Sequence, residues 1–248
     1  MPIKILMGVV ALVCAAWGYL FYHAWQMSHM PMTAMWMPPA SLTLWPLTGL
    51  IWVYSMWAVM MAAMMLPTAL PMIGAFSRYA KSRRLSTENL SHWFISGYLV
   101  VWFGFSLVLT GLQWLFHGIA WLSPMMENRH PFLAAAILIA AGLYQFTPIK
   151  NACLQHCRTP FGFLINEWRP GQSGAVQMGI KHGIDCLGCC WVQMLLMFVI
   201  GVMNLWGMIF ITLLVIVEKW LPGKTKVISH SIGIFFLAWA AYCLSIVG

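Results

Sequence analysis

Charge is what this chain has least of. Its 248 residues include 13 lysines and arginines and only 5 acidic residues, so 7% of positions are charged, against about 25% in soluble domains. That scarcity excludes a water-solvated globular domain, because 62% of the residues are hydrophobic and must meet lipid or one another. Also missing are a phosphate-cradling glycine loop, a nucleotide-binding motif and a hydrolase triad. An ATP-driven pump is therefore excluded unless another subunit supplies the ATPase. The formal net charge of +8 does not point to nucleic acid, since the basic residues fall between apolar runs and form no extended soluble face. They set topology and meet anionic headgroups.

A hydrocarbon core about 30 Å thick takes about 20 apolar residues per helix. The length thus predicts one integral membrane domain over residues 1–248, an all-α polytopic bundle of about six spans. Residues 5–25 follow Lys4 and lack a small-residue cleavage site, which reads as a retained helix. Residues 26–39, QMSHMPMTAMWMPP, show no apolar period, contain three prolines and are expected to form a loop. The second span covers 45–73, with Pro67 and Pro71 expected to kink or end it. The third covers 93–116. The fourth covers 132–147, with its helix continuing past Pro148 to Cys157. Residues 158–185 read as a polar connection. The apolar run 186–217 is long for one span, so it is either one tilted helix or a helix broken near 201–204 that re-enters. The last span covers 227–247.

The excess of lysine and arginine places Arg78, Lys81, Arg83 and Arg84 in the cytoplasm, and two spans later Lys150, Arg158, Arg169 and Lys181 as well. The 26–39 loop and the His117 to His130 loop then face outward across a bacterial inner membrane. The basic 218–226 loop fits this scheme only if 186–217 folds back.

What the chain has in excess is sulfur. Methionine occurs 20 times, and its neutral thioether suits Cu(I) without deprotonation. Met56, Met60 and Met64 recur at i, i+4 on one helical face, with Met61 and Met65 beside them. The alternative is that methionine is simply a flexible apolar filler. In the outer loop Met27, His29, Met30, Met32, Met35 and Met37 crowd together where nothing needs burying. Imidazole with thioether is a copper-like set, and His23, His117, Met125, Met126 and His130 are positioned to join it. An interfacial segment lying against headgroups is the competing reading.

Five of the seven cysteines form two groups, Cys153 with Cys157 and Cys186 with Cys189 and Cys190, while Cys14 and Cys243 read as packing residues. Cys153 and Cys157 are one turn apart, and Lys150 precedes them on the same face, positioned to favour their thiolates. Topology puts Cys186 on the same membrane side. Convergence of these sulfurs would suit Cu(I), Zn(II) or an iron-sulfur cluster, with His182 and Asp185 as secondary candidates. A redox dithiol at Cys186 and Cys189, and plain burial of small apolar residues, remain open beside it. Gln145, Gln193 and Asn204 are expected to hydrogen-bond between helices, and Gln113 to face protein or water. Glu218 and Lys219 are expected to mark a membrane boundary.

Three strings carry a family likeness. MWAVMMAAMMLP holds Trp57, Met60, Ala63, Met64, Met65 and Pro67. YQFTPIK, from Tyr144, is followed by Cys153 and Cys157. His182-Gly183 leads to Cys186, Cys189 and Cys190, and on to Asn204, Glu218 and Lys219. Together they resemble the bacterial predicted metal-binding integral membrane proteins. The resemblance implies a helical membrane fold and supports grouped methionines and cysteines as a unit; it implies no reaction. The first expectation is a Cu(I)-binding inner-membrane protein, not an enzyme, with possible partners among membrane-complex subunits or a copper chaperone. The second is a thiol-disulfide oxidoreductase exchanging electrons between Cys186/Cys189 and Cys153/Cys157. The third is an accessory or assembly subunit of a membrane metalloenzyme.

Overall fold

The computed structural model describes residues 3–29, 45–123, 130–221 and 225–245, with only the backbone of Ser28 and Thr225. These residues fold into helices throughout: α1 (Ile3–His29), α2 (Leu47–Ser82), α3 (Thr87–Gly118), α4 (Pro131–Tyr144), α5 (Pro148–Arg158), α6 (Pro160–Glu167), α7 (Gly171–Leu195), α8 (Met197–Ile200), α9 (Leu205–Trp220) and α10 (Thr225–Ser245). Among them, five helices are long and apolar enough to cross a membrane, or six if α4 with α5 counts as one bent span. Gln26, Met27 and His29 belong to α1, so the expected loop begins later than the sequence suggests.

The most buried helix is α2, which runs through Pro67 and Pro71 for 36 residues. A proline cannot donate to the carbonyl four residues back. For Pro67 that carbonyl is Ala63, and the Trp17 indole of α1 donates to it at 3.1 Å. An outside donor thus replaces the missing backbone bond, which is how prolines are tolerated inside apolar helices. Replacing Trp17 with phenylalanine is expected to keep the packing but orphan this carbonyl. The cost is about 1 to 2 kcal/mol, readable as a lowered unfolding midpoint in detergent.

The α3–α7 pair is a backbone-close contact. A Cβ at Gly97 would lie 2.2 Å from the Val176 carbonyl oxygen, and one at Gly179 would lie 2.1 Å from that of Phe94. Only glycine fits at both places, and the close approach sets Tyr98 of α3 against α7.

The fourth apolar segment stops at Tyr144 and restarts at Pro148 with a bend of 65°. Pro148 occupies the first turn of α5, and Thr147 caps it by accepting from the Lys150 amide at 3.3 Å. The stretch 158–185, expected as a polar connection, is instead largely helical, forming α6 and the first half of α7. The long run from Cys186 breaks at Gly201, whose φ of +106° a side chain would strain. Asn204 then caps α9 by accepting from the Gly207 amide at 3.0 Å. It is exposed and serves as this cap, correcting the expected interhelical bond. Because Lys219 near the end of α9 returns to touch Cys186, α7–α8 and α9 form a hairpin.

Chain direction sorts the ends. The Lys4–Glu88 ion pair at 3.7 Å puts the start of α1 beside the start of α3. From there the helix order brings every described lysine and arginine to the end that holds the cysteines. His29, His117 and His130 lie at the opposite end.

Candidate functional site

Helix α5 lies along α7, and this pairing brings the two cysteine groups together. The Cys157 thiol of α5 lies beside those of Cys186 and Cys189 on α7, and the Cys190 thiol beside the same two. The Cys189 and Cys190 thiols also donate to the Cys186 carbonyl at 3.0 and 3.1 Å. Cys153 Sγ packs against Gly188, where a Cβ would come within 2.7 Å of it. The glycine in the C-L-G-C-C string therefore makes room for a sulfur from the neighbouring helix. All three thiols of α7 are buried, Cys157 is 9% exposed and Cys153 is half-buried.

Cys186 has the most polar surroundings. Lys219 Nζ donates to its sulfur at 2.7 Å and to Thr68 Oγ1 at 3.3 Å. The Tyr98 hydroxyl lies 3.1 Å from the same sulfur and 3.1 Å from the Met65 carbonyl. An ammonium in a buried site needs an acceptor able to carry negative charge beside it, and the Cys186 sulfur is in contact with it.

The neighbouring residue of α9 anchors a second network. Glu218 accepts from Lys150 Nζ at 2.8 and 2.9 Å, from Gln193 Nε2 at 2.9 Å and from Ser229 Oγ at 3.2 Å. Lys150 and Glu218 are 0% and 2% exposed, so this ion pair is removed from water. Two expectations are corrected here. Lys150 neutralises Glu218 and does not serve the thiols, a role that falls to Lys219. Glu218 and Lys219 do not mark a boundary but lie buried at the centre of the thiol end, because the hairpin folds them inward.

His182, one turn before Cys186, is buried and stacked on Tyr98 with ring centroids 5.5 Å apart. Its Nδ1 has no hydrogen-bond partner among the described residues. Asp185 of α7 is largely buried against α5, with Oδ2 3.5 Å from His156 Nδ1. Nearby, Glu167 at the end of α6 pairs with Lys181, whose hydrogen bond holds that carboxyl below its ordinary pKa.

On α2, Met56, Met60 and Met64, with Met61 and Met65, are buried. They extend from Trp57, which donates to Gln113 at 2.6 Å, down to Met65 beneath Tyr98. At the opposite end His117 is buried and bonds the Gln113 carbonyl at 2.9 Å. His29 is exposed and bonds the Trp25 carbonyl at 3.0 Å. Met27 and His23 are half-buried, and His130 precedes α4. Met30, Met32, Met35, Met37, Met125 and Met126 lie outside the described residues. Cys14 is exposed, which corrects its expected packing role, and Cys243 is half-buried. Gln145 is buried at the α4–α5 bend with Oε1 unpartnered among the described residues.

No three His, Cys, Asp or Glu side chains among the described residues form a preset metal-binding group. The Cys189 and Cys190 thiols are directed at the Cys186 carbonyl. Their chemistry suits a soft monovalent ion. A family model described as the copper chaperone PpoB2 matches residues 54–243. The chain belongs to this copper chaperone family. No curated protein and no solved structure matches it. The match takes in the buried methionines of α2 and all five grouped cysteines, and it agrees with the metal-binding character of the motif resemblance.

Sequence reading missed Tyr98, Thr68, Ser229 and His156, and misplaced Glu218 and Lys219. A signal for the last pair was present, since adjacent charges at the end of an apolar run are costly unless partnered.

Proposed function

We propose that this copper chaperone is a multi-pass protein of the bacterial inner membrane that binds Cu(I) on the thiolates of Cys157, Cys186 and Cys189. Cys190, Cys153 and His182 stand within the same pocket, and the ion is delivered to a membrane metalloenzyme or its assembly partner. The observation that carries this reading is the mutual contact of cysteines from α5 and α7 in a chain whose family handles copper. Three thiolates on one Cu(I) leave a net charge of −2, and the Lys219 ammonium offsets one unit of it in a medium where unpaired charge is costly. The end bearing the basic residues is the cytoplasmic one. The Met56, Met60 and Met64 column, with Met27 and His29 at its outer end, forms the approach for the incoming ion. His117 and His130 flank that approach.

The Lys219–Cys186 pair also suits an activated redox thiol, so the test must separate the two readings. Protein purified without oxygen is titrated with Cu(I) against a chromophoric chelator. The wild type is expected to hold copper stoichiometrically, and Cys157→Ser combined with Cys186→Ser to lose it. Metal-free wild type with a reversible Cys186–Cys189 disulfide would replace this proposal with the oxidoreductase.

A further inference from the structure

The thiol cluster is walled on one side and comes nearer the surface on another. Toward α2 it is walled by Tyr98 and by Lys219, whose ammonium lies 2.7 Å from Cys186. An ion arriving from the α2 methionines meets this ammonium balanced by the free Cys186 sulfur, whereas one bound there and leaving the same way faces it unbalanced. Toward α5 the seam is graded in exposure: the α7 thiols are buried, Cys157 is 9% exposed and Cys153 half-buried.

Immediately beyond the Cys157–Cys186 contact, the preceding residue of each helix forms a second cross-helix pair, His156 with Asp185 at 3.5 Å. The His156 side chain is 61% exposed and that of Asp185 16%. The ring turns Nδ1 toward the carboxylate, which leaves Nε2 as the nitrogen available to an ion. A carboxylate behind an imidazole helps to orient it as a ligand. Asp185 Oδ2 is buried and makes no hydrogen bond among the described residues, so its contact with His156 Nδ1 at 3.5 Å is one of charge.

Resting on the copper-chaperone reading, we infer that Cu(I) passes between the thiol pocket and its acceptor through the α5–α7 seam. His156 is the transfer ligand at the mouth, and Asp185 is the residue that positions it. In the exchange a Cu–S bond to Cys157 breaks as a Cu–N bond to His156 Nε2 forms. The copper stays Cu(I), and thiolates freed by its departure retake protons from water. The acceptor that fits is a protein presenting soft ligands to this basic end of the bundle.

The test uses the full-length chain loaded with Cu(I) in detergent micelles and mixed rapidly with excess soluble bidentate Cu(I) chelator. His156→Ala, and separately Asp185→Asn, are expected to slow transfer about tenfold while leaving the equilibrium Cu(I) affinity within about threefold of wild type. His156 is exposed, so its loss should leave the fold intact, which a thermal melt checks. Unchanged transfer rates in both variants would overturn the inference. So would rate and affinity falling together, since that makes His156 part of the resting site. A wild type that binds no Cu(I) would instead overturn the chaperone reading itself, a separate and distinguishable failure.

Discussion

Replacing Glu218 with alanine is expected to destabilise the protein by about 3 to 5 kcal/mol, the usual cost of removing one partner of a buried ion pair. The reason is the group left behind. Lys150 is 0% exposed, and without Glu218 its ammonium would have to be desolvated unpaired or lose its proton. Gln193 and Ser229 would lose an acceptor in the same step, and the contact among α5, α7, α9 and α10 would loosen together. Unfolding in mixed micelles, followed by helical signal, measures this. The double variant Lys150→Met with Glu218→Leu is expected to recover most of the loss, because two apolar groups of similar size leave no charge to strand. A Glu218→Ala protein within about 0.5 kcal/mol of wild type would sink the account, since that is the range of ordinary surface substitutions.

The second large effect is expected at the α3–α7 crossing. Gly179→Ala places a methyl 2.1 Å from the Phe94 carbonyl oxygen, and no backbone atom on either side can rotate away as a flexible side chain would. The helices must separate, at a cost of about 3 kcal/mol, the upper end of overpacking penalties. Because Tyr98 lies on α3 and Cys186 on α7, their 3.1 Å contact is expected to break with the separation. Tyr98→Phe, which removes the hydroxyl but leaves the crossing alone, distinguishes the two causes. It should lose the bond to Cys186 with little loss of stability beyond one hydrogen bond, about 1 kcal/mol. A Gly179→Ala protein that melts with the wild type would show that the crossing tolerates expansion.

Among the site residues, legibility in the sequence followed sequence distance. Cys153 and Cys157, like Cys186, Cys189 and Cys190, are spaced to share a helix face, so each group was readable as a unit. That the groups meet depended on α5 lying along α7, which the two-group spacing only permits. Lys150 was readable as a cation near the cysteines but not as the partner of Glu218, 68 residues away. The prolines of α2 misled for a related reason. Their local effect is to remove a backbone donor, and for Pro67 the compensating Trp17 indole comes from another helix. Residues 171–185 looked like a loop because glycine and polar residues lower helical propensity. Packing against α3 overrides that preference, using the same glycines to let the backbones approach.

Composition and apolar run length alone determined that the chain is an all-helical bundle with segments fit for a membrane, and helical periodicity placed its sulfurs in stripes and groups. Those are local properties, set by the solvent each residue requires and by 3.6 residues per turn. The tertiary structure decided which charges are paired, which lysine faces a thiol and which cysteines come near the surface. Each of those depends on a hairpin at Gly201 and a bend at Pro148 that bring distant residues within bonding distance, and no local rule sets where such folds lead.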